Sequence, residues 1–332
     1  MPTLLLIHTG GTLMMRGGDP TPLAPDVYTQ DLLTELPVLR KIADIETRIL
    51  CNLDSADMQP HHWVSLGAMV HEALPRYDGV VVVHGTDSMA YTASALAFLL
   101  RGIDRPVVFT GAQKPLRDVR TDARSNLVDA CHLATMNIAE VGIVFDSKLL
   151  RGCRATKLDA WGMSAFGSPA CAPLAELGLG VNLGKHLLEK REREVFDGRI
   201  EPKVMSVRTF PGLDPKLLHG ALEAGVRGMV IEGYGAGNIP HLENSLVPVI
   251  ERARSLDVPV VIVSQCPRGS VDLGRYQGGA RAAAAGAISA QDMTTEAALT
   301  KLMIALGRVS EHAGRVLVAR EAFATSWAGE MS

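Results

Sequence analysis

The 332-residue chain lacks several features that define whole classes of protein. Its five cysteines are scattered and form no Cys-x-x-Cys pair, so the sequence predicts neither a disulfide framework nor a structural zinc site. No apolar run approaches the roughly 20 residues that a transmembrane helix needs. Charge is balanced, with 33 basic and 36 acidic residues, a net charge of -3 and no basic cluster for nucleic acid or membrane. We therefore expect a cytoplasmic, globular protein with no nucleic-acid or membrane partner.

Motifs for nucleotides and metals are missing as well. No turn has the Gly-x-Gly-x-x-Gly pattern of a dinucleotide site, and none has the Lys-Ser/Thr ending of a phosphate loop. The pair His61 and His62 has no third ligand at metal spacing, and a zinc site requires at least three. We expect a site for a small polar molecule, and no metal.

Short apolar strands and helical segments alternate regularly over residues 3 to about 145. The strands at residues 4–7 and 79–83 consist of aliphatic and branched side chains, which is typical of parallel strands buried on both faces. The alternation predicts an α/β fold with a doubly wound, mainly parallel sheet and right-handed crossovers.

A change of composition predicts a domain boundary. Around residues 186–203 the chain contains Glu-Lys-Arg-Glu-Arg-Glu and then Asp-Gly-Arg, which is typical of a solvated linker. The βα pattern then resumes on a smaller scale. We expect a larger N-terminal domain at 1–187, a linker at 188–203 and a smaller α/β C-terminal domain at 204–332.

Hydroxyl groups and glycines follow several of the predicted strands. The first strand ends in Thr9-Gly10-Gly11-Thr12, and a later one ends in His84-Gly85-Thr86-Asp87-Ser88. Because carboxyl ends of parallel strands share one edge, Thr12, Ser55, Thr86 and Asp87 are expected in a single pocket. A threonine there needs a neighbouring base to act as a nucleophile, and backbone N–H groups in glycine turns can stabilise an oxyanion. The structural alternative is a set of turns with satisfied hydroxyls, in which Asp87 or Ser88 caps a helix.

The two glycine turns resemble the signature motifs of the bacterial-type L-asparaginases. The likeness covers nearly the whole chain and extends through Asp54-Ser55-x-Asp57-Met58, Gly111-Ala112-x-x-Pro115, Arg151-Gly152 with Thr156-Lys157, Tyr234-Gly235-x-Gly237-Asn238, and Asp292-Met293-Thr294 to Lys301. It implies the cytoplasmic type I branch and an amidohydrolase that converts L-asparagine to L-aspartate and ammonia through an acyl-threonine ester. It also implies no metal or organic cofactor, a homodimer or homotetramer, and possible glutaminase side activity.

The resemblance also implies roles for individual residues. Thr12 matches the acyl-forming nucleophile, while Thr86, Asp87 and Lys157 match a second catalytic group. Burial of Lys157 would favour a neutral amine, whereas a neighbouring Asp87 would favour the ammonium form. From the local sequence alone, Lys157 also fits a surface or ion-pair lysine.

Further positions match groups that bind the substrate. These residues are expected to hold the α-ammonium and α-carboxylate of the substrate or to approach the substrate through their backbone. They are Asp54, Ser55, Ala56, Asp87, Gly11 and Gly85. Asn238 lies in a loop of the smaller domain that, in the family, approaches the active site of the neighbouring subunit.

One position departs from the family pattern. The family has a tyrosine in the loop after Thr12, and an ungapped comparison places Pro22 there. Tyr28, Thr21 or a water molecule would have to substitute, or the activity would be weak or altered. Because of the missing tyrosine, a catalytically weak protein that senses asparagine or aspartate stays open as an alternative. Among enzymes, the nearest alternative is a related amidase acting on glutamine or another β-amide.

Overall fold

The computed structural model describes residues 1–14, 25–309 and 314–332, without the side chains of Met14 and of residues 25–29. The chain divides into two compact units, residues 1–198 and 199–332. The division falls inside the segment 188–203; that this segment is a linker between a catalytic and a smaller domain stays a prediction.

The first unit contains ten strands and four α-helices among its described residues. The strands are β1 (Thr3–Gly10), β2 (Asp44–Leu53), β3 (Gly79–Val83), β4 (Val107–Thr110), β5 (Val141–Phe145), β6 (Lys148–Arg151), β7 (Thr156–Lys157), β8 (Phe166–Gly167), β9 (Ala175–Leu177) and β10 (Val181–Leu183). The helices are α1 (Pro25–Glu35), α2 (Pro60–Ala73), α3 (Met89–Leu99) and α4 (Ala123–Ala134). Eight strands form one sheet in the order β10-β9-β6-β5-β4-β3-β1-β2, and β7 and β8 form a separate hairpin.

Strands β1, β3, β4 and β5 are buried on both faces, as their composition predicts, whereas the edge strand β2 is mostly half-buried or exposed. Strands β1 to β5 run parallel, whereas β6, β9 and β10 are antiparallel. Leu4 and Leu6 face one core cluster, and Leu5 and Ile7, which alternate with them, are equally buried on the other face. Helix α3 is buried around most of its circumference because small alanines alternate with large side chains. The prediction of a doubly wound, mainly parallel sheet is confirmed.

The strand order reverses its direction between β1 and β3. From β1 the chain crosses to β2 on one side and then returns to β3 on the other side of β1. The order 2-1-3-4-5 places a topological switch point there, where the loops leaving two adjacent strands diverge and ligands bind. A side-chain bond from Thr9 Oγ1 to the Val83 carbonyl, 3.1 Å long, ties the two strand ends together.

The second unit repeats the parallel arrangement on a smaller scale. Its strands form one sheet in the order β11 (Val204–Arg208), β12 (Gly228–Gly233), β13 (Val260–Ser264) and β14 (Ile288–Ser289). Its helices are α5 (Pro215–Glu223), α6 (Val247–Ser255), α7 (Gln277–Ala285), α8 (Thr295–Gly307) and α9 (Arg315–Ala324). A smaller α/β domain is therefore confirmed. In the described part of the chain, every helix is too short or too polar to cross a bilayer.

Candidate active site

The turn after β1 is shaped by two glycines. Gly10 and Gly11 have φ angles of 120° and 87°, a region that L-residues with a side chain rarely adopt. A Cβ atom on Gly11 would lie 2.5 Å from the Gly85 Cα, so the turns after β1 and β3 touch through their backbones. Thr12 follows at once, half-buried, and begins the short 3₁₀ turn Thr12–Met14. The contact brings the segments that carry Thr12 and Thr86 to the same edge of the sheet.

The turn after β2 packs against the same place. A Cβ on Gly85 would lie 2.7 Å from Ser55 Oγ, and Ser55 itself is buried. Ser55 Oγ accepts a hydrogen bond from the Asp87 backbone N–H at 3.1 Å, and the Ser55 carbonyl accepts one from Ser88 Oγ at 2.5 Å. Ser55 therefore joins the exits of β2 and β3.

Asp54 and Ala56 flank Ser55 on the exposed side. The Asp54 carboxylate accepts the Ala56 backbone N–H at 2.9 Å and caps the 3₁₀ turn Ser55–Asp57. One carboxylate oxygen of Asp54 thus has a structural partner, while the side chain stays open to solvent.

Lys157 reaches this edge from the hairpin of β7 and β8. Its Nζ donates to Thr86 Oγ1 at 2.9 Å and to Asp87 Oδ1 at 2.6 Å. The exposed fractions of the two charged side chains are 20 % for Lys157 and 64 % for Asp87, so solvent screens the pair in part. Lys157 thus forms an ion pair, and its partner is Asp87, the residue beside which the family resemblance places it.

Sequence reasoning assigned no role to three residues that support the site. Gln113, at the exit of β4, accepts a hydrogen bond from Thr86 Oγ1 at 3.3 Å. The buried Asp122 carboxylate accepts the backbone N–H groups of Gln113 and Lys114, at 2.9 and 3.1 Å, and the Asn126 amide at 3.2 Å. The signal that could have found Gln113 is its position at the end of the strand next to β3.

Two buried histidines lie beneath the glycine turns. Burial lowers the pKa of His84 to about 4, despite its hydrogen bond to the Gly85 carbonyl. Burial likewise lowers the pKa of His8 to about 4, against the opposing effect of Asn52. Both imidazoles are neutral at pH 7 and add no charge to the site. Because a carbonyl only accepts, His84 Nδ1 carries the hydrogen of its 2.7 Å bond to Gly85.

The other expected groups belong to the second unit or fall outside the described residues. Asn238 belongs to the second unit, where its backbone N–H and carbonyl bond those of Tyr234 at 2.8 Å each; its approach to a neighbouring subunit stays a prediction. Thr21, Pro22 and the Tyr28 side chain fall outside the described residues. A search of the described residues for three or more His, Cys, Asp or Glu side chains arranged around a common point finds no candidate metal site.

Comparison with known proteins identifies the family. The model for "Asparaginase, N-terminal" matches residues 3–188, and the model for "Glutaminase/Asparaginase C-terminal domain" matches residues 203–315. The chain belongs to the asparaginase family. The resemblance read from the motifs is confirmed.

Individual members of the family are similar over most of their length. The L-asparaginase of Thermococcus kodakarensis is 40 % identical over 312 residues, 93 % of this chain and 94 % of the relative. A solved structure of the thermostable L-asparaginase from that organism gives a TM-score of 0.91 at 38 % identity, covering 99 % of both chains. L-asparaginase I from Vibrio cholerae gives a TM-score of 0.87 at 33 % identity, covering 100 % of this chain and 99 % of that one. A glutamyl-tRNA(Gln) amidotransferase subunit of Pyrococcus abyssi is 36 % identical over 345 residues, 100 % of this chain and 77 % of the relative.

Proposed function

We propose that the protein is an L-asparaginase, an amidohydrolase that converts L-asparagine and water to L-aspartate and ammonia. The observation that carries the proposal is the position of Lys157, whose Nζ bridges Thr86 Oγ1 and Asp87 Oδ1 at the switch point of the sheet. The glycine turn leading to Thr12 touches the turn leading to Thr86. Membership of the asparaginase family supports asparagine as the amide and a threonine acyl-enzyme as the intermediate.

In the first step the Thr12 hydroxyl oxygen attacks the carbonyl carbon of the asparagine side chain. The C–N bond breaks, the Thr12 proton leaves with the amide nitrogen as ammonia, and an aspartyl ester of Thr12 forms. Negative charge develops on the carbonyl oxygen during the attack, and backbone N–H groups of the glycine turns are suited to stabilise it.

In the second step a water molecule attacks the ester carbon. Thr86, Lys157 and Asp87 form the polar group that orients this water. The water oxygen bonds to the ester carbon, the bond from that carbon to the Thr12 oxygen breaks, and a water proton passes by way of this polar group to the Thr12 oxygen. The Thr12 hydroxyl is thereby restored and L-aspartate is released.

The α-ammonium and α-carboxylate groups require a separate set of contacts. Asp87 and Asp54 are exposed carboxylates suited to an ammonium group, and the Ser55 hydroxyl, which accepts the Asp87 backbone N–H, is suited to the α-carboxylate. Gly11, Gly85 and Ala56 approach the substrate through their backbone. In a homodimer or homotetramer, Asn238 of a neighbouring subunit completes this set of contacts. We also propose that the protein is cytoplasmic.

A related amidase activity on glutamine is the second candidate. The observation that favours it is the similarity of the whole chain to a glutamyl-tRNA(Gln) amidotransferase subunit. The match to an L-asparaginase structure covers 99 % of both chains, and this favours asparagine as the substrate.

Ammonia release from a panel of asparagine, glutamine and other amides tests the proposal. Asparagine turnover that disappears in both Thr12→Ala and Thr86→Val supports it. Asparagine binding measured by calorimetry without ammonia release identifies a sensor instead, and preferential turnover of glutamine identifies the related amidase. Light scattering gives the oligomeric state, and Tyr28→Phe tests whether that phenol takes part.

A further inference from the structure

Gln113 contacts the proposed catalytic group from a strand end to which no role had been assigned. Its Oε1 accepts a hydrogen bond from Thr86 Oγ1 at 3.3 Å, and its Nε2 donates to the Gly162 carbonyl at 3.2 Å. An amide oxygen only accepts and an amide nitrogen only donates. The bond to Gly162 therefore fixes the orientation of the carboxamide, with its oxygen towards Thr86.

Two atoms, Lys157 Nζ and Gln113 Oε1, lie within hydrogen-bond distance of Thr86 Oγ1, which carries a single hydrogen. Lys157 Nζ lies 2.9 Å away, but it is paired with Asp87 and is itself a donor to Thr86 Oγ1. Gln113 Oε1 only accepts. The hydroxyl hydrogen therefore points to Gln113, and Thr86 keeps a lone pair for a hydrogen donor in the site.

The backbone of Gln113 and the turn that carries its partner Gly162 are each fixed by a carboxylate. The backbone N–H of Gln113 is fixed by the buried Asp122 carboxylate at 2.9 Å. The turn that carries Gly162 is fixed by Asp159, whose carboxylate accepts the backbone N–H groups of Trp161 at 2.7 Å and Gly162 at 2.9 Å. These two hydrogen bonds keep the pKa of Asp159 below its usual value. Gln113 thus links the β4 exit to the hairpin that supplies Lys157.

We propose that Gln113 is a positioning residue that sets the direction of the Thr86 hydroxyl hydrogen. Its carboxamide turns a lone pair of Thr86 towards the attacking water while Lys157 approaches from the other side. The inference rests on the proposed asparagine hydrolysis for its effect on rate, but the geometry it assigns does not require turnover.

Kinetics of two variants test the effect on rate. Gln113→Met keeps the length of the side chain but removes both hydrogen bonds, and we expect kcat to fall about 10-fold with KM changed less than about twofold. Gln113→Glu keeps an oxygen towards Thr86 and should retain more of kcat than Gln113→Met. Gln30→Met, on the exposed face of α1, is the matched control and should behave as wild type. Melting temperatures of the variants show whether each is folded at the assay temperature.

Two kinetic results would overturn the proposal. One is wild-type kcat in Gln113→Met. The other is an equal loss of kcat in Gln113→Met and Gln113→Glu together with a rise in KM, which a purely structural role predicts.

Neutron diffraction of the deuterated wild-type protein tests the geometry directly. A Thr86 deuterium on the line to Gln113 Oε1 supports the proposal, and one directed at Lys157 Nζ or into the open site contradicts it. This measurement separates two failures. A protein that releases no ammonia, but has its deuterium on Gln113, contradicts the proposed function and leaves the positioning geometry in place.

Discussion

Each unit of the protein contains a lysine–carboxylate pair, and the two pairs differ in burial. In the first unit Lys157 pairs with Asp87 at the edge of a sheet, with exposed fractions of 20 % and 64 %. In the second unit Lys301 pairs with Glu330, and both side chains are fully buried. Lys301 Nζ also donates to the Thr325 carbonyl at 2.7 Å and lies 4.9 Å from the centre of the Trp327 ring.

The difference follows from what surrounds each pair. Burial alone would raise the pKa of Glu330, but the Lys301 charge and the hydrogen bonds from Lys301, Ala328 and Trp327 outweigh it, so the pKa is lowered. The pair fixes the C-terminal segment against α8 and has no solvent access for a substrate. The Lys157 pair has fewer partners and faces solvent, which leaves its lysine available to a reacting group.

Removing the site lysine should give the largest change in activity. We expect Lys157→Met to lower kcat by about 10²–10⁴-fold, because the polar group that orients the water and passes on its proton loses the Nζ that joins Thr86 to Asp87. The free energy of unfolding should change by less than about 1 kcal/mol, as for other partly exposed pairs. Steady-state ammonia release and urea denaturation measure the two quantities, with the exposed Lys148→Met as control. Full activity of the Lys157 variant would end its catalytic assignment.

Removing the buried lysine should have the opposite profile. In Lys301→Met the Glu330 carboxylate is left buried without its cation, so the free energy of unfolding should fall by about 3–5 kcal/mol. The kcat per folded molecule should stay near the wild-type value. The double variant Lys301→Met with Glu330→Gln removes both charges and should recover part of the loss. Strictly additive losses would show that the two side chains are not coupled.

Acid should weaken the two units at different pH. His8 and His84 have pKa values lowered to about 4, so between about pH 6.5 and 4 the unfolded chain binds protons that the folded chain excludes. Their contribution is complete above about pH 6.5 and falls by about 3 kcal/mol per histidine as the pH drops to 4. Glu330 acts over a lower pH range. Its lowered pKa stabilises the folded state above pH 4.5, the pKa in the unfolded chain, and this stabilisation is lost as the pH falls through the pKa in the folded chain.

Hydrogen exchange resolved by peptide measures this difference between the units. Protection of the β1 and β3 peptides should fall between pH 7 and 5, while that of the α8 peptides holds. His84→Asn keeps a donor for the Gly85 carbonyl but does not titrate, and should remove about half of the pH dependence of the first unit, with the other half left to His8. A simultaneous loss of protection in both units would contradict the assignment.

The smallest effect is expected beneath the site. Asp122→Asn replaces a carboxylate that accepts three N–H groups, and we expect a loss of about 1–3 kcal/mol in unfolding free energy. A decrease in kcat of a few fold should accompany it because Gln113 loses its anchor. The exposed Asp118→Asn, in the same loop, is the matched control for both measurements. An unchanged kcat in Asp122→Asn would show that Asp122 does not influence the active site through Gln113.

The sequence predicted the site best where local chemistry and topology coincide. Gly11 and Gly85 stand out because glycine alone permits the close approach of the two turns, and both follow strands whose composition marks them as parallel and buried. Lys157 was left between a catalytic and an ion-pair interpretation, because its partners lie about seventy residues away in the chain. Gln113 had no motif of its own, since its partner Thr86 follows a different strand.

The local sequence thus determined the parallel strands, the glycine turns and the hydroxyl groups that follow them, because these depend on backbone sterics and side-chain periodicity. Only the tertiary structure decided which lysine became buried and which stayed accessible. Lys157 and Lys301 have the same side chain and each pairs with a carboxylate. Their environments differ because packing between distant segments removes water from one pair and leaves it around the other.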